Sequence, residues 1–344
     1  MASRDERNLR ASSAASLFIS ILALGACHAG APSPSAADVA FARPAQMVAV
    51  GPSRLNLHCM GSGSPVVVLE AGLGGDSSGW ARVQPRLAQA TRVCSYDRAG
   101  YYFSEPGPMP RTAEVAVADL HSLLEVASIR APIVLVGHSL GGLLVRLYAA
   151  KYPQDIAGLV LLDPVLDNVE DERPHGESDA GEEDPLFVKC LASAKNGTIT
   201  TDPALRKDCI GPPDARLSSE LNAAQAEAAA RATTWQTMLS EGKEMRSGRT
   251  GARVRAAHEK LDDLPLVVVT KGVVRTPPGD EAKLAEAYFG RTVLRHAELA
   301  RRSRRGLHLV ARSGHQMHMD DPDIVAAGVQ AVLRAYRENR AVIP

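Results

Sequence analysis

Apolar residues along this chain gather into short, nearly unbroken runs separated by longer amphipathic stretches. The runs are Arg54–Cys59, which alternates, then 65–69, 92–96, 133–136, 158–162, 266–270 and 307–311. Runs of this length, rich in Val, Leu and Ile, read as strands. Their continuous apolar character suits a sheet covered on both faces. Between them the spacing turns helical. Thr112 is placed to cap a helix carrying Ala116, Leu120, Leu123 and Leu124 on one face. Asp321 and Pro322 open another, whose Ile324, Val325, Gly328, Val329, Val332, Leu333 and Tyr336 recur at helical spacing. Alternating strands and helices predict an α/β protein with a mostly parallel sheet.

The rhythm stops between Asp163 and Leu264. Asp167–Asp184 carries nine carboxylates against one arginine and reads as a solvated, mobile segment. Ser218–Lys260, rich in Ala, Glu, Gln and Arg, predicts two or three helices. Residues 164–263 are therefore expected to form a helical cap inserted between core segments 46–163 and 264–344.

The N-terminal residues stand apart from this pattern. Arg4, Arg7 and Arg10 precede the apolar stretch Ala14–Ala26, which is short for a membrane span and fits a signal-peptide core. It ends in Leu24-Gly25-Ala26-Cys27, which resembles a bacterial lipoprotein signal. The expectation is a signal peptide over residues 1–26, lipidation at Cys27, and a Pro-rich tether over 27–45. His28 rather than aspartate after the cysteine points to the periplasmic face of the outer membrane. A cleaved secretory peptide, leaving the protein periplasmic or secreted, is the alternative.

The 344 residues include 39 basic and 39 acidic side chains, so global charge gives no reason to expect nucleic acid as a partner. Membrane association is expected only through the lipid anchor. Apart from Cys27 the cysteines are Cys59, Cys94, Cys190 and Cys209. An even number in an exported chain suggests disulfides, and four cysteines allow three pairings. None has zinc-like spacing, so no metal is expected.

The strongest chemical signal is Ser139, in Gly137-His138-Ser139-Leu140-Gly141. A β run leads into it and a helical pattern, ending near Lys151, leads out. Serine between close-spaced glycines at a strand-to-helix turn is a nucleophile elbow. The helix N-terminus behind it offers free N–H groups to a developing oxyanion. Such a serine needs a base and a group to orient that base. His315, in Ser313-Gly314-His315, follows the final strand and is the candidate base. His318 is expected at the surface or behind the site, and His138 is expected to point away and pack.

Four segments together resemble the α/β-hydrolase family across nearly the whole mature length. They are Glu70-Ala71-Gly72-Leu73-Gly74-Gly75, Tyr96-Asp97-Arg98-Ala99-Gly100-Tyr101, Gly137-His138-Ser139-Leu140-Gly141-Gly142 and Ser313-Gly314-His315. The resemblance implies an α/β-hydrolase fold: an eight-stranded, mostly parallel sheet with helices on both faces, a nucleophile–acid–histidine order, and a cap after strand six. Most members carry the acid after strand seven, but Thr270–Arg275 here contains no carboxylate, and the first beyond it is Asp280. A minority place the acid at the end of strand six, where Asp163 stands. Asp163 is the preferred acid and Asp280 the alternative. The oxyanion donors are expected at the backbone N–H groups of Leu140 and Leu73, although Ala71-Gly72 replaces the family's frequent His-Gly. In this family the second and fourth strands are neighbours, which brings Cys59 and Cys94 within pairing reach. Cys190 and Cys209 would then close a loop within the cap.

The expected function is a serine hydrolase cleaving a carboxylic ester or related acyl bond of a small-molecule substrate, with no cofactor. A serine nucleophile disfavours the epoxide-hydrolase and haloalkane-dehalogenase chemistries of the same fold. A non-catalytic binding or scaffolding lipoprotein and an acyltransferase are the alternatives.

Overall fold

The computed structural model describes residues 38–168, 183–274 and 280–343; the side chains of Asp280 and Glu281 lie outside that description. The sheet has eight strands: β1 Gln46–Val50, β2 Ser53–Met60, β3 Val66–Glu70, β4 Val93–Tyr96, β5 Ile133–His138, β6 Ile156–Leu162, β7 Leu266–Thr270 and β8 Gly306–Val310. Their spatial order is β1-β2-β4-β3-β5-β6-β7-β8. β1 and β2 are antiparallel, as are β2 and β4, and every other neighbouring pair is parallel.

The apolar runs occupy the centre of the sheet, and the period of two decides which face each residue serves. Val66, Val68, Leu135, Leu159, Leu161, Leu266 and Val268 pack into one core layer. Val67, Leu69, Val134, Val136, Val160, Val267 and Val269 pack into the other. Helix α1 (Ala113–Val126), capped by Thr112 as its sequence predicts, and α2 (Leu140–Lys151) supply leucines to the first layer. The second layer receives Val325, Val329, Val332 and Leu333 from the C-terminal helix Pro322–Arg337, which Asp321 caps. Burial on both faces explains why the sequence shows unbroken apolar runs rather than alternation.

Strand β1 is the element that the pattern misses. Its two exposed positions, Gln46 and Ala49, and its partly exposed Met47 reflect an edge strand with only one neighbour. The hairpin turn at Gly51-Pro52, with Gly51 at φ 55°, joins it to β2. That glycine–proline pair is the signal that locates it.

Between β6 and β7 the chain forms α3 (Pro185–Lys195), α4 (Ser219–Ala229), α5 (Ala232–Arg246) and α6 (Arg249–Ala256). The last three are the helices expected over Ser218–Lys260. The acidic stretch 169–182 lies outside the described residues. A disulfide joins Cys59 of β2 to Cys94, its directly opposed partner on β4. Another joins Cys190 of α3 to Cys209. Within the stretch expected to be a tether, Asp38 accepts a hydrogen bond from the Ser218 N–H at 2.9 Å, and Phe41 is buried against Tyr102, Leu217 and Leu221. A last long helix, α7 (Asp280–Arg301), leads to β8.

Candidate active site

Ser139 sits between β5 and α2 with φ 53° and ψ −120°, a backbone state that costs an L-residue free energy. Three hydrogen bonds hold it there. Its N–H donates to Leu162 O at 3.0 Å, and its carbonyl accepts from Gly142 at 2.9 Å and Val165 at 3.1 Å. The flanking glycines are required by contact: a Cβ at Gly137 would lie 2.4 Å from Gly141 O, and one at Gly141 would lie 2.5 Å from Glu70 O. The elbow can approach β3 this closely only without those side chains.

Asp163 directly follows β6, one strand over. Its φ is 39°, its N–H donates to Val269 O at 2.7 Å, and it is 5% exposed. The carboxylate reaches His315 Nδ1 at 2.6 Å through Oδ2. Lys271, the first residue after β7, supplies its N–H to Oδ1 at 3.3 Å and its ammonium to Oδ2 at 3.2 Å. A cation thus occupies the loop in which most family members are expected to carry the acid. Burial alone would raise the Asp163 pKa. The His315 hydrogen bond and the charges of Lys271 and His315 outweigh it, holding the carboxyl well below the usual range. Asp280, the alternative acid, begins α7, and its side chain lies outside the described residues.

Because an ionised carboxylate only accepts, His315 Nδ1 carries a proton and donates it to Asp163. His315 is further fixed by a neighbour for which the sequence suggests a different role. His138 does not simply point away. It is buried, its Nε2–H donates to the His315 carbonyl at 2.8 Å, and its ring lies 4.5 Å from the His315 ring. Burial, then the nearby His318 and His315, push its pKa well down, so it stays neutral. Of the two places expected for His318, the surface or behind the site, the structure gives the buried one. It packs 4.5 Å from the His138 ring and 5.0 Å from Trp80, with its pKa pushed down to about 4 by burial and His315.

Ser139, His315, His138 and His318 line one cavity of about 820 Å³. Leu73 lines it too, in the loop after β3, where Gly75 N–H closes a turn on Gly72 O at 3.1 Å. Leu140 is the first residue of α2, so its N–H has no acceptor within the helix. The opposite wall comes from the cap, with Ile210, Pro212, Leu217, Ala226 and Met245 among its residues. A pocket of this size and mixed lining suits a small organic molecule.

Sequence reasoning misses the group behind this loop. Arg98 is 2% exposed and bonds Glu70 on β3, Glu241 on α5 and the carbonyls of Ala71 and Gly72. Tyr96 hydroxyl donates to Glu70, and Tyr101 hydroxyl donates to Glu241 at 2.9 Å. Burial raises the Glu70 pKa against the opposing pull of Arg98 and Tyr96. The local signal was a charged residue inside an otherwise buried strand-end segment, at Glu70 and again at Arg98.

The model of the alpha/beta hydrolase family matches residues 66–328, and the chain belongs to that family. Among curated proteins it is 38% identical over 109 residues to the uncharacterized protein YqjL of Bacillus subtilis, covering 32% of this chain and 43% of that one. It is 34% identical over 124 residues to 2-hydroxy-6-oxo-2,4-heptadienoate hydrolase of Pseudomonas putida, covering 35% and 44%. The matches therefore span less than half of either relative. Among solved structures, an esterase of Thermogutta terrifontis superposes with a TM-score of 0.55 at 20% identity, covering 84% of this chain and 97% of that one. A structure described as an ancestral haloalkane dehalogenase gives 0.64 at 17% identity, covering 86% and 100%. At such identities these two speak for the fold alone. With the family membership, the hydrolase relatives support an enzyme.

Proposed function

We propose that this chain is a serine hydrolase that cleaves a carboxylic ester or related acyl bond through an acyl-enzyme on Ser139. The observation that carries the reading is the 2.6 Å Asp163–His315 pair, whose histidine lines the same cavity as Ser139. With Nδ1 engaged by Asp163, His315 Nε2 takes the Ser139 proton as the hydroxyl attacks the substrate carbonyl. The N–H groups of Leu140 and Leu73 stabilise the oxyanion, and His315 then protonates the leaving alcohol. Water, deprotonated by His315, releases the acid and restores Ser139. Asp163 stays ionised throughout, as its depressed pKa favours.

The test is a series of p-nitrophenyl esters of increasing chain length, run beside Ser139→Ala, with fluorophosphonate labelling of the folded protein. Turnover and labelling that both vanish in S139A are expected; labelling that persists in S139A would sink the assignment. We also propose an exported protein lipidated at Cys27. Incorporation of labelled palmitate in a bacterial host, abolished by Cys27→Ala, is the expected result.

A further inference from the structure

Arg98 presents five N–H donors, and each has an acceptor. Nε and one Nη2 hydrogen clasp the two carboxylate oxygens of Glu241, both at 2.9 Å. Nη1 reaches Glu70 Oε1 at 2.6 Å and Ala71 O at 2.7 Å, and the remaining Nη2 hydrogen reaches Gly72 O at 2.8 Å. Only the planar fork of a guanidinium fills such a set, since an ammonium offers three donors from one point.

The contact to Gly72 O has a directional consequence. A trans peptide unit is planar, and its C=O and N–H point to opposite sides. Gly72 C=O and Leu73 N–H belong to one such unit. Arg98 shares that carbonyl with the Gly75 N–H, which lies 3.1 Å away, and is its shorter contact; holding the carbonyl there turns the Leu73 N–H the other way, and Leu73 lines the cavity with Ser139. Glu241 meanwhile lies on α5 in the cap, so the same guanidinium bonds the cap and the loop at once.

Resting on the hydrolase reading above, we propose that Arg98 is a positioning residue that aims the Leu73 N–H at the oxyanion, and that Glu241 couples this aim to the seating of the cap. Loss of an oxyanion donor weakens the transition state far more than the bound ester. A fault in this device therefore appears in kcat rather than KM.

The experiment compares wild type, Arg98→Lys and Glu241→Gln, each titrated for folded sites. It measures p-nitrophenyl butyrate kinetics and the rate of fluorophosphonate labelling at Ser139. For R98K we expect kcat to fall about 100-fold with KM within about threefold, and labelling to slow in parallel. For E241Q, which keeps one acceptor oxygen and the side-chain shape, we expect a fall of about tenfold in kcat. Folded R98K with wild-type kcat, or a loss confined to KM, overturns the positioning role. If R98K does not fold, E241Q decides: unchanged kcat overturns the coupling to the cap and with it the proposal. Wild type that resists Ser139-dependent labelling overturns the hydrolase reading itself, whereas labelled wild type with unaffected variants overturns only the role of Arg98.

Discussion

Two helical glycines should respond to alanine with opposite sign, and the structure sets the size of each response. In a helix, Gly→Ala is intrinsically favourable by about 1 kcal/mol. Gly290, on α7, has no atom of the described residues, its own helix backbone aside, within 4 Å of the position its Cβ would take. Gly290→Ala should therefore keep most of that gain and raise unfolding free energy by roughly 0.5–1 kcal/mol. Gly141, in the first turn of α2, is different. Its Cβ would meet Glu70 O at 2.5 Å and Ala71 O at 2.6 Å. A carbon–oxygen contact needs about 3.3 Å, so β3 and the elbow must part by roughly 0.7–0.8 Å. Both carbonyls are backbone, and Ala71 O is itself held by Arg98. The gap cannot open by rotating a side chain. The overpacking cost of about 1–3 kcal/mol then exceeds the intrinsic gain, for a net loss of up to about 2 kcal/mol. The same displacement moves Ser139 relative to the loop bearing Leu73, and a misplacement near 1 Å costs about 100-fold in rate. Urea unfolding of both variants, with the rate of Ser139 labelling, checks both numbers. A G141A protein as stable and as readily labelled as wild type would refute the idea that close approach, rather than turn flexibility, requires this glycine.

Asp163→Asn should lower turnover on the order of 10³–10⁴-fold by letting the wrong His315 tautomer form, with Asp280→Asn left at wild-type rate; p-nitrophenyl ester assays measure both. Replacing Cys190 and Cys209 by alanine opens a 19-residue separation and should cost about 3 kcal/mol in urea unfolding, with cap amides exchanging faster than those of β5. Stability should also depend on pH through histidines, buried or half-buried, whose pKa values are lowered. His138, His296, His308 and His318 all have depressed pKa values, mainly from burial, and those of His308 and His318 fall to about 4. The unfolded chain then binds more protons than the native one below about pH 6.5, so stability is full above that pH and falls towards pH 4. Each such group contributes up to about 1.4 kcal/mol per pH unit. Urea midpoints between pH 4.5 and 7.5 test this, and His318→Gln should flatten the slope.

What the sequence made legible follows the range of the interactions involved. Ser139 and its turn are local: a β run, two glycines and a helical pattern lie within twenty residues. The central strands were legible because burial on both faces leaves no polar positions to blur them. The Asp163–His315 contact spans 152 residues, and it came within reach only because the loop after β7 is empty of carboxylates. The bond between Arg98 and Glu241 spans 143 residues and joins core to cap, and no periodicity marks either partner. The histidine stack was hidden for a similar reason. His138 and His318 come from β5 and from the short helix Met317–Asp320, and a chain pattern does not tell a buried histidine from an exposed one.

Ser139 and Asp163 are two of the few non-glycine residues here with positive φ, a conformation worth roughly 1–2 kcal/mol against an L-residue. Glycine adopts it freely. Ser139→Gly should therefore relax the elbow, and Asp163→Gly should relax the turn behind it at the expense of the buried ion pair. A selection scheme that rewards only heat resistance would drift towards glycine at position 139 and, if Ser139 is the proposed nucleophile, enrich inert molecules. On the hydrolase reading proposed above, demand for turnover keeps the serine against the folding preference of its own backbone.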